Sequence, residues 1–305
     1  MSSATERLLP ESPHSRPWRS YALFLAFVGP NLLLLALFTY RPLFENFRMS
    51  FYDWNISSSG ARFIGIANYR EWFGRADTWT VIANTGIFTV VAVVGSMVLG
   101  LALALLLDRQ LKGRNLVRSV VFAPFILSGA AVGIAFQFIF DPNFGMINDL
   151  MHRSGLGSAP DFYQQPGWAL LMVTITYVWK NLGYAFVIYL AALQGRRIDL
   201  DEAAAIDGAS RWAHFRKVLM PQLRPTTYFL SITVLLNSIQ VIDIINVMTR
   251  GGPLGDGTTT IVYQVYEESF RNFRAGYGSA IATVMFLVLL VATVIQVRMM
   301  DRSGK

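Results

Sequence analysis

Val81-Ile-Ala-Asn-Thr-Gly-Ile-Phe-Thr-Val-Val-Ala-Val-Val-Gly-Ser-Met-Val-Leu-Gly-Leu-Ala-Leu-Ala-Leu-Leu-Leu107 runs for 27 residues without a charged side chain. At 1.5 Å of rise per residue, a helix of this length exceeds the roughly 30 Å of hydrocarbon in a bilayer. An unclosed sheet would leave its peptide groups unpaired in lipid, so the run is read as a spanning helix. Five further apolar runs, at 21–40, 119–140, 168–193, 226–248 and 278–297, are rich in Val, Leu, Ile, Phe and Ala. Together they predict an all-α integral membrane protein of about six transmembrane helices, its membrane domain covering 21–300.

Composition agrees. Hydrophobic residues make up 53% of the 305-residue chain and charged ones 15%, with a mean hydropathy of +0.42. A soluble core has no use for that much apolar surface. Length alone would allow two domains, but the recurring runs favour one membrane domain. There is no cysteine, which excludes disulfides, thiolate metal sites and a cysteine nucleophile. The net charge of +7 does not point to nucleic acid, because the basic residues are scattered between apolar runs.

The first run follows a polar leader, 1–20, that contains Arg7, Arg16 and Arg19. It is longer than a signal-peptide core and ends at Arg41-Pro42 without a small-residue cleavage pattern, so it reads as an uncleaved span. With the N-terminus inside, the cytoplasmic segments hold 16 Lys and Arg and the external ones 9, with Lys180 inside a span. That bias predicts both termini in the cytoplasm. The segment 141–167, with its glycines and prolines, reads as an external connection of turns. His14, His152 and His214 lie in polar segments at no metal spacing and are expected to be solvated.

The cytoplasmic loop 196–225 is charged and helix-favouring. Asp199-Leu-Asp-Glu-Ala-Ala-Ala-Ile-Asp-Gly-Ala-Ser-Arg-Trp212 predicts a short helix with Asp199 as N-cap, a bend at Gly208, and a second short helix from Arg211 that Pro221 stops. One alternative is an amphipathic linker lying on lipid headgroups. Its acidic first turn is a poor match to an anionic inner leaflet, which favours a docking helix for a soluble partner.

Glu202-Ala-Ala-Ala-Ile-Asp-Gly208-Ala, with Phe215 and Leu219-Met-Pro221 following, resembles the EAA loop of the inner-membrane subunits of binding-protein-dependent ABC importers. Phe63-Ile-Gly-Ile-Ala-Asn-Tyr69, Phe122-Ala-Pro124, Tyr177-Val-Trp179, Leu190-Ala-Ala-Leu-Gln194 and Thr249-Arg-Gly-Gly-Pro253 stand in the order and spacing of the carbohydrate branch, which includes the maltose and glycerol-3-phosphate permeases. The resemblance implies a loop between spans four and five that fits a cleft on a cytoplasmic ATPase. Glu202 would make the polar contact and Gly208 the turn, with Ala203, Asp207 and Pro221 also in the coupling motif. Two departures stand out: Arg196-Arg197-Ile198 replaces the common Ile-Pro pair, and Met220 replaces the usual leucine before Pro221. There is no G-x-x-x-x-G-K-[ST] phosphate loop, so ATP and Mg are expected on partner subunits and no cofactor on this chain. The implied partners are a second homologous permease subunit, two ATPase subunits, an extracytoplasmic solute-binding protein and membrane lipid.

Polar groups inside spans are costly and usually face a cavity or another helix. In span four these are Trp179, Lys180, Asn181 and Tyr184; in span five, Asn237, Ser238, Gln240 and Asp243. Amides for hydroxyls and aromatic faces for a ring suit a sugar-like solute, although bonds to neighbouring helices would account for Asn181, Asn237 and Ser238 equally well. Lys180 would attract an anionic solute or pair with an intramembrane carboxylate. The turn-rich loop 251–260, running into Tyr263, Tyr266 and Phe270, is expected to be exposed and to touch the binding protein. The run Thr258 to Phe270 and the Val-Trp-Lys of span four resemble most the A-type permease for glycerol-3-phosphate and its diesters. The rivals are a di- or oligosaccharide substrate, an ion-coupled secondary carrier, which broken mid-membrane helices or paired carboxylates would favour, and a membrane enzyme. No His, Cys or paired-acid cluster supports the last.

Overall fold

The computed structural model describes residues 17–57, 60–108, 113–253 and 256–303. The leader as far as Arg16, Arg109, Lys112, Leu254, Gly255 and the last two residues lie outside these. The chain divides into two units, 1–48 and 49–305.

The first unit holds α1 (Pro17–Leu35), a π-helical turn (Ala36–Tyr40) and nearly all of α2 (Arg41–Met49). These join into one apolar helix, Tyr21–Met49, that passes through Pro42 instead of ending there. Proline lacks an N–H and its ring collides with the carbonyl four residues back. The wider turn just before Pro42 re-registers the ladder and removes that conflict.

In the second unit, a hairpin of β1 (Tyr52–Asp53) and β2 (Arg62–Phe63) pairs Tyr52 with Phe63 and Asp53 with Arg62. It leads to α3 (Ala67–Gly74) and the long α4 (Ala76–Leu107). The quoted run thus lies in one helix, which packs along α8 (Pro166–Gln194). Small residues set that distance: a β-carbon on Gly100 would lie 2.8 Å from both Ala185 Cβ and the Phe186 amide nitrogen. Gly183 of α8 meets α5 (Arg114–Ile126) as closely, 2.6 Å from the Val121 carbonyl by the same measure.

The third run is not one straight helix. α5 ends at Ile126, α6 (Gly129–Ile139) begins three residues later, and the two are bent by 102°. Leu127 and Ser128 are extended at the corner, and Pro124 removes a donor from the last turn of α5. The connection that followed the sequence as turns contains a further helix, α7 (Met146–Arg153).

After α8 come α9 (Ile198–Ile206), α10 (Arg211–His214), a π-helical turn (Phe215–Leu219), α11 (Met220–Ile239) and α12 (Asp243–Met248). Pro221 does not stop the second short helix: α10 continues through the π turn into α11. The physical reason repeats that at Pro42, since each proline sits two residues past a π turn. α13 (Ile261–Tyr266), a third π turn (Glu267–Arg271) and α14 (Ala275–Ser303) complete the described chain. Among the described residues, five helices can cross a membrane by length and composition, or six when the bent α5–α6 pair counts as one span.

The core lies between these helices in three clusters: around Phe88, Tyr177 and Tyr263, around Phe186, Tyr189 and Leu230, and around Trp72, Val81 and Ile281. The loop before α13 is not the exposed element expected. Thr258, Thr259, Thr260 and Tyr263 are buried, while Phe270 is exposed. Two of its main-chain groups are bonded from α4: Asn84 Nδ2 donates to the Asp256 carbonyl at 2.7 Å, and the Ile261 N–H donates to Thr85 Oγ1 at 2.9 Å.

Candidate functional site: an elbow and a membrane cavity

The elbow is built by α9 and Gly208. The helix starts two residues earlier than expected, with Arg197 at the cap position and no side-chain cap bond. Asp199 is therefore not the N-cap. It lies in the first turn and pairs with Arg197 at 2.5 Å. At the other end the amides of Asp207, Gly208 and Ala209 donate to the carbonyls of Ala203, Ala205 and Ala204. Gly208 closes the turn at φ +69°, a region where L side chains are strained. Ser210 then caps α10 by accepting the Ala213 N–H at 3.2 Å.

Ala204 is the buried residue of α9. Glu202, Ala203 and Asp207 are exposed, and Glu202 makes no hydrogen bond or ion pair among the described residues. Ile206 is 86% exposed and Trp212 67%. An unpaired carboxylate beside exposed apolar side chains suits a partner that supplies both a donor and an apolar pocket.

The inner side of the elbow is held by charge. Arg196 donates from Nε to Asp201 (2.7 Å) and from Nη1 to Asp108 (2.6 Å) and the Leu193 carbonyl (2.9 Å). The other Asp201 oxygen meets His214 Nε2 at 2.9 Å, so His214 is not simply solvated. Partial burial pushes the Asp201 pKa up, but the bonds from Arg196 and His214 outweigh it and hold the carboxyl below its usual range. The bond to Asp201 likewise pushes Arg196 up, against a smaller opposing effect of burial.

The cavity forms where two helices break against α8. The α5–α6 corner lies on one side and the Gln240–Ile242 interruption between α11 and α12 on the other. A space of about 260 Å³ is lined by Phe125, Tyr177, Lys180, Asn181, Asn237, Gln240, Val241, Asp243 and Ile244. Five of the eight residues expected to line a pathway thus converge. Lys180 Nζ donates to the Phe125 carbonyl at 3.3 Å, near the end of α5 where carbonyls lose their helical partners. Asp243 packs against Gly129 at the start of α6 so closely that a β-carbon there would overlap its carboxylate. Each free helix end therefore faces the charge its dipole favours.

Tyr184 lies beside the cavity, stacked on Phe125 at 5.2 Å. Trp179 and Ser238 are not brought to it. Trp179 packs on Phe136 and lines an apolar groove with Val91, Gly95 and Leu99, and buried Ser238 donates to the Leu235 carbonyl. The larger grooves along α4 and α8 are nearly all apolar and lack converging polar groups. Tyr177 and Phe125 were missed by the sequence reading. Tyr177 was legible as the residue one turn before Asn181, whose amide donates to its carbonyl at 2.9 Å, and Phe125 as the neighbour of the Phe122-Ala-Pro124 motif.

A bundle of helices of spanning length, with a polar cavity at two helix breaks and a short exposed elbow between the fourth and fifth runs, is the architecture of a membrane permease. Residues 96–303 match the family of binding-protein-dependent transport system inner membrane components, and the chain belongs to it. It is 34% identical over 271 residues, 89% of this chain and 91% of the relative, to the probable starch degradation products transport system permease protein of Thermoanaerobacterium thermosulfurigenes. It is 30% identical over 291 residues, 95% of this chain and 98% of the relative, to the sn-glycerol-3-phosphate transport system permease protein of Pectobacterium atrosepticum. The fold is shared with a bacterial alginate ABC transporter solved in complex with an alginate pentasaccharide-bound periplasmic protein, at a TM-score of 0.79, 24% identity, and coverage of 95% of this chain and 96% of that one.

Proposed function

We propose that this chain is one of two membrane subunits of an ATP-driven importer of a sugar-like solute. The observation that carries the reading is the exposed elbow, with Glu202 unpaired beside Ile206 and the turn fixed at Gly208. Two ATPase subunits hold ATP and Mg and receive the elbow. A second, similar permease completes the pore, and an extracytoplasmic binding protein delivers the solute. The leader, loop 196–225 and both termini face the cytoplasm, a placement supported by the excess of Lys and Arg in those segments.

ATP binding draws the two elbows together and turns the cavity outward; hydrolysis lets it open inward. Asn181, Asn237 and Gln240 supply donors and acceptors for hydroxyl groups, and Tyr177 and Phe125 the apolar faces for a ring. Relatives named for glycerol-3-phosphate and for starch degradation products support this substrate range. Glycerol-3-phosphate or a glycerophosphodiester is the particular substrate that Lys180 favours, since its ammonium can leave the Phe125 carbonyl for a phosphate. A neutral di- or oligosaccharide is favoured instead by Asp243, which balances that charge within the same cavity.

The assembled transporter, reconstituted with its binding protein, tests the proposal: a solute of one of these types should stimulate ATP hydrolysis and enter vesicles only with ATP on the elbow side. The broken helices are the feature an ion-coupled carrier would also use. Uptake that persists without ATP and collapses with an ionophore would establish that rival.

A further inference from the structure

The coupling motif accounts for the outward face of α9 but not for what fastens its inward face. Arg196 joins three helices through one guanidinium. It reaches Asp108 at the end of α4 (88 positions away), the Leu193 carbonyl at the end of α8, and Asp201 in the first turn of α9. Asp201 passes the connection on to His214, at the head of the helix that runs into α11. The three side chains of the two ion pairs are each about a quarter exposed or less, so water competes weakly and the planar fork holds direction as well as distance.

The neighbouring arginine provides a contrast. Arg197 pairs with Asp199, two residues away, and both side chains are well exposed. That bond stays within the elbow and fastens it to no span.

Successive residues on a helix point about 100° apart. Tying Asp201 inward therefore fixes where Glu202 and Ile206 point outward. We propose that Arg196 is a positioning residue that locks the roll of α9 to α4, α8 and the head of α10, so that displacement of the elbow moves the spans. The inference rests on the reading of α9 as the ATPase contact.

The test uses the complete transporter in proteoliposomes, measuring solute moved per ATP hydrolysed. Arg196→Met is expected to retain its ATPase subunits and hydrolyse ATP within about twofold of wild type, while solute moved per ATP falls about fivefold or more. Asp108→Asn should reproduce the loss, and the double variant should be little worse than either alone, as expected for members of one network. Arg197→Met should match wild type. Unchanged transport per ATP in Arg196→Met, or an equal defect in Arg197→Met, overturns the proposal. So does loss of the ATPase subunits from an otherwise intact Arg196→Met complex, which would make Arg196 a docking contact. Should Arg196→Met fail to insert, Arg196→Lys, which keeps the charge but not the fork, is expected to give an intermediate ratio, and wild-type coupling there overturns the proposal equally. Glu202→Ala separates the two levels: if it has no effect the elbow reading itself fails, whereas a defect there beside a normal Arg196→Met removes this inference alone.

Discussion

Gly208 allows the elbow to be tested with little disturbance of packing. Its φ is +69°, and a β-carbon added there meets nothing within 4 Å. The cost of Gly208→Ala is therefore backbone strain alone, about 1–2 kcal/mol for an L residue in the left-handed region. Spread over the elbow's conformations, that is roughly a 5- to 30-fold shift away from the turn. Asparagine tolerates this region far better than other side chains and β-branched residues least of all. The expected order of ATP-driven uptake in proteoliposomes is wild type, then Gly208→Asn, then Gly208→Ala, then Gly208→Val, with equal amounts of protein in the membrane. Uptake that ignores this order, or a valine variant as active as wild type, would refute the claim that the left-handed turn sets the elbow.

Lys180→Met should weaken ATP-dependent uptake of an anionic solute at least tenfold while sparing a neutral sugar; equal losses for both would assign Lys180 to capping α5. Gly100→Leu should lower stability by about 1–3 kcal/mol through overpacking against α8, seen as a lower thermal midpoint of the detergent-solubilised protein. Asn84→Leu leaves the Asp256 carbonyl without its donor, at about 1–3 kcal/mol, and should speed proteolytic nicking within 250–260. Because the folded Asp201 carboxyl lies below its ordinary 3.8, its contribution is complete above that value and is lost as pH falls through the lower folded pKa. Thermal midpoints measured from pH 6 down to pH 3 should fall less for Asp201→Asn than for wild type.

The mostly helical membrane fold was legible because apolar runs of span length with at most one charge have no other use, and Gly208 was legible because the chain must turn after Ile206. The bend after α5 was not, since an unbroken apolar run from 119 to 140 carries no mark of direction and Pro124 alone does not fix an angle. The two prolines misled in the same way. A proline seen in sequence predicts a stop, whereas the compensating π turn is a property of the ladder before it. The loop before α13 read as exposed because glycine and threonine suit turns; its burial depends on Asn84 and Thr85, about 175 residues away in sequence. Polarity picked out Asn181, Asn237 and Asp243 but could not separate them from Trp179 and Ser238, because the side of the helix that faces a cavity is set by its neighbours. Arg196 was noticed only as a departure from the family, and His214 was set aside, because the Asp108 partner of Arg196 lies 88 positions away and the Asp201 partner of His214 lies 13 away on a separate helix.

The uninterrupted passage through Pro221 has a mechanical consequence. From Arg211 to Ile239 the backbone forms a single rod, about 40 Å long at helical rise, with the elbow at one end and Gln240 of the cavity at the other. A tilt of about 5° about one end of such a rod carries the far end through about 3–4 Å, roughly the width of a water molecule. A hinge at the proline would have absorbed that motion near the elbow; without one, a small tilt at the elbow is magnified at the cavity.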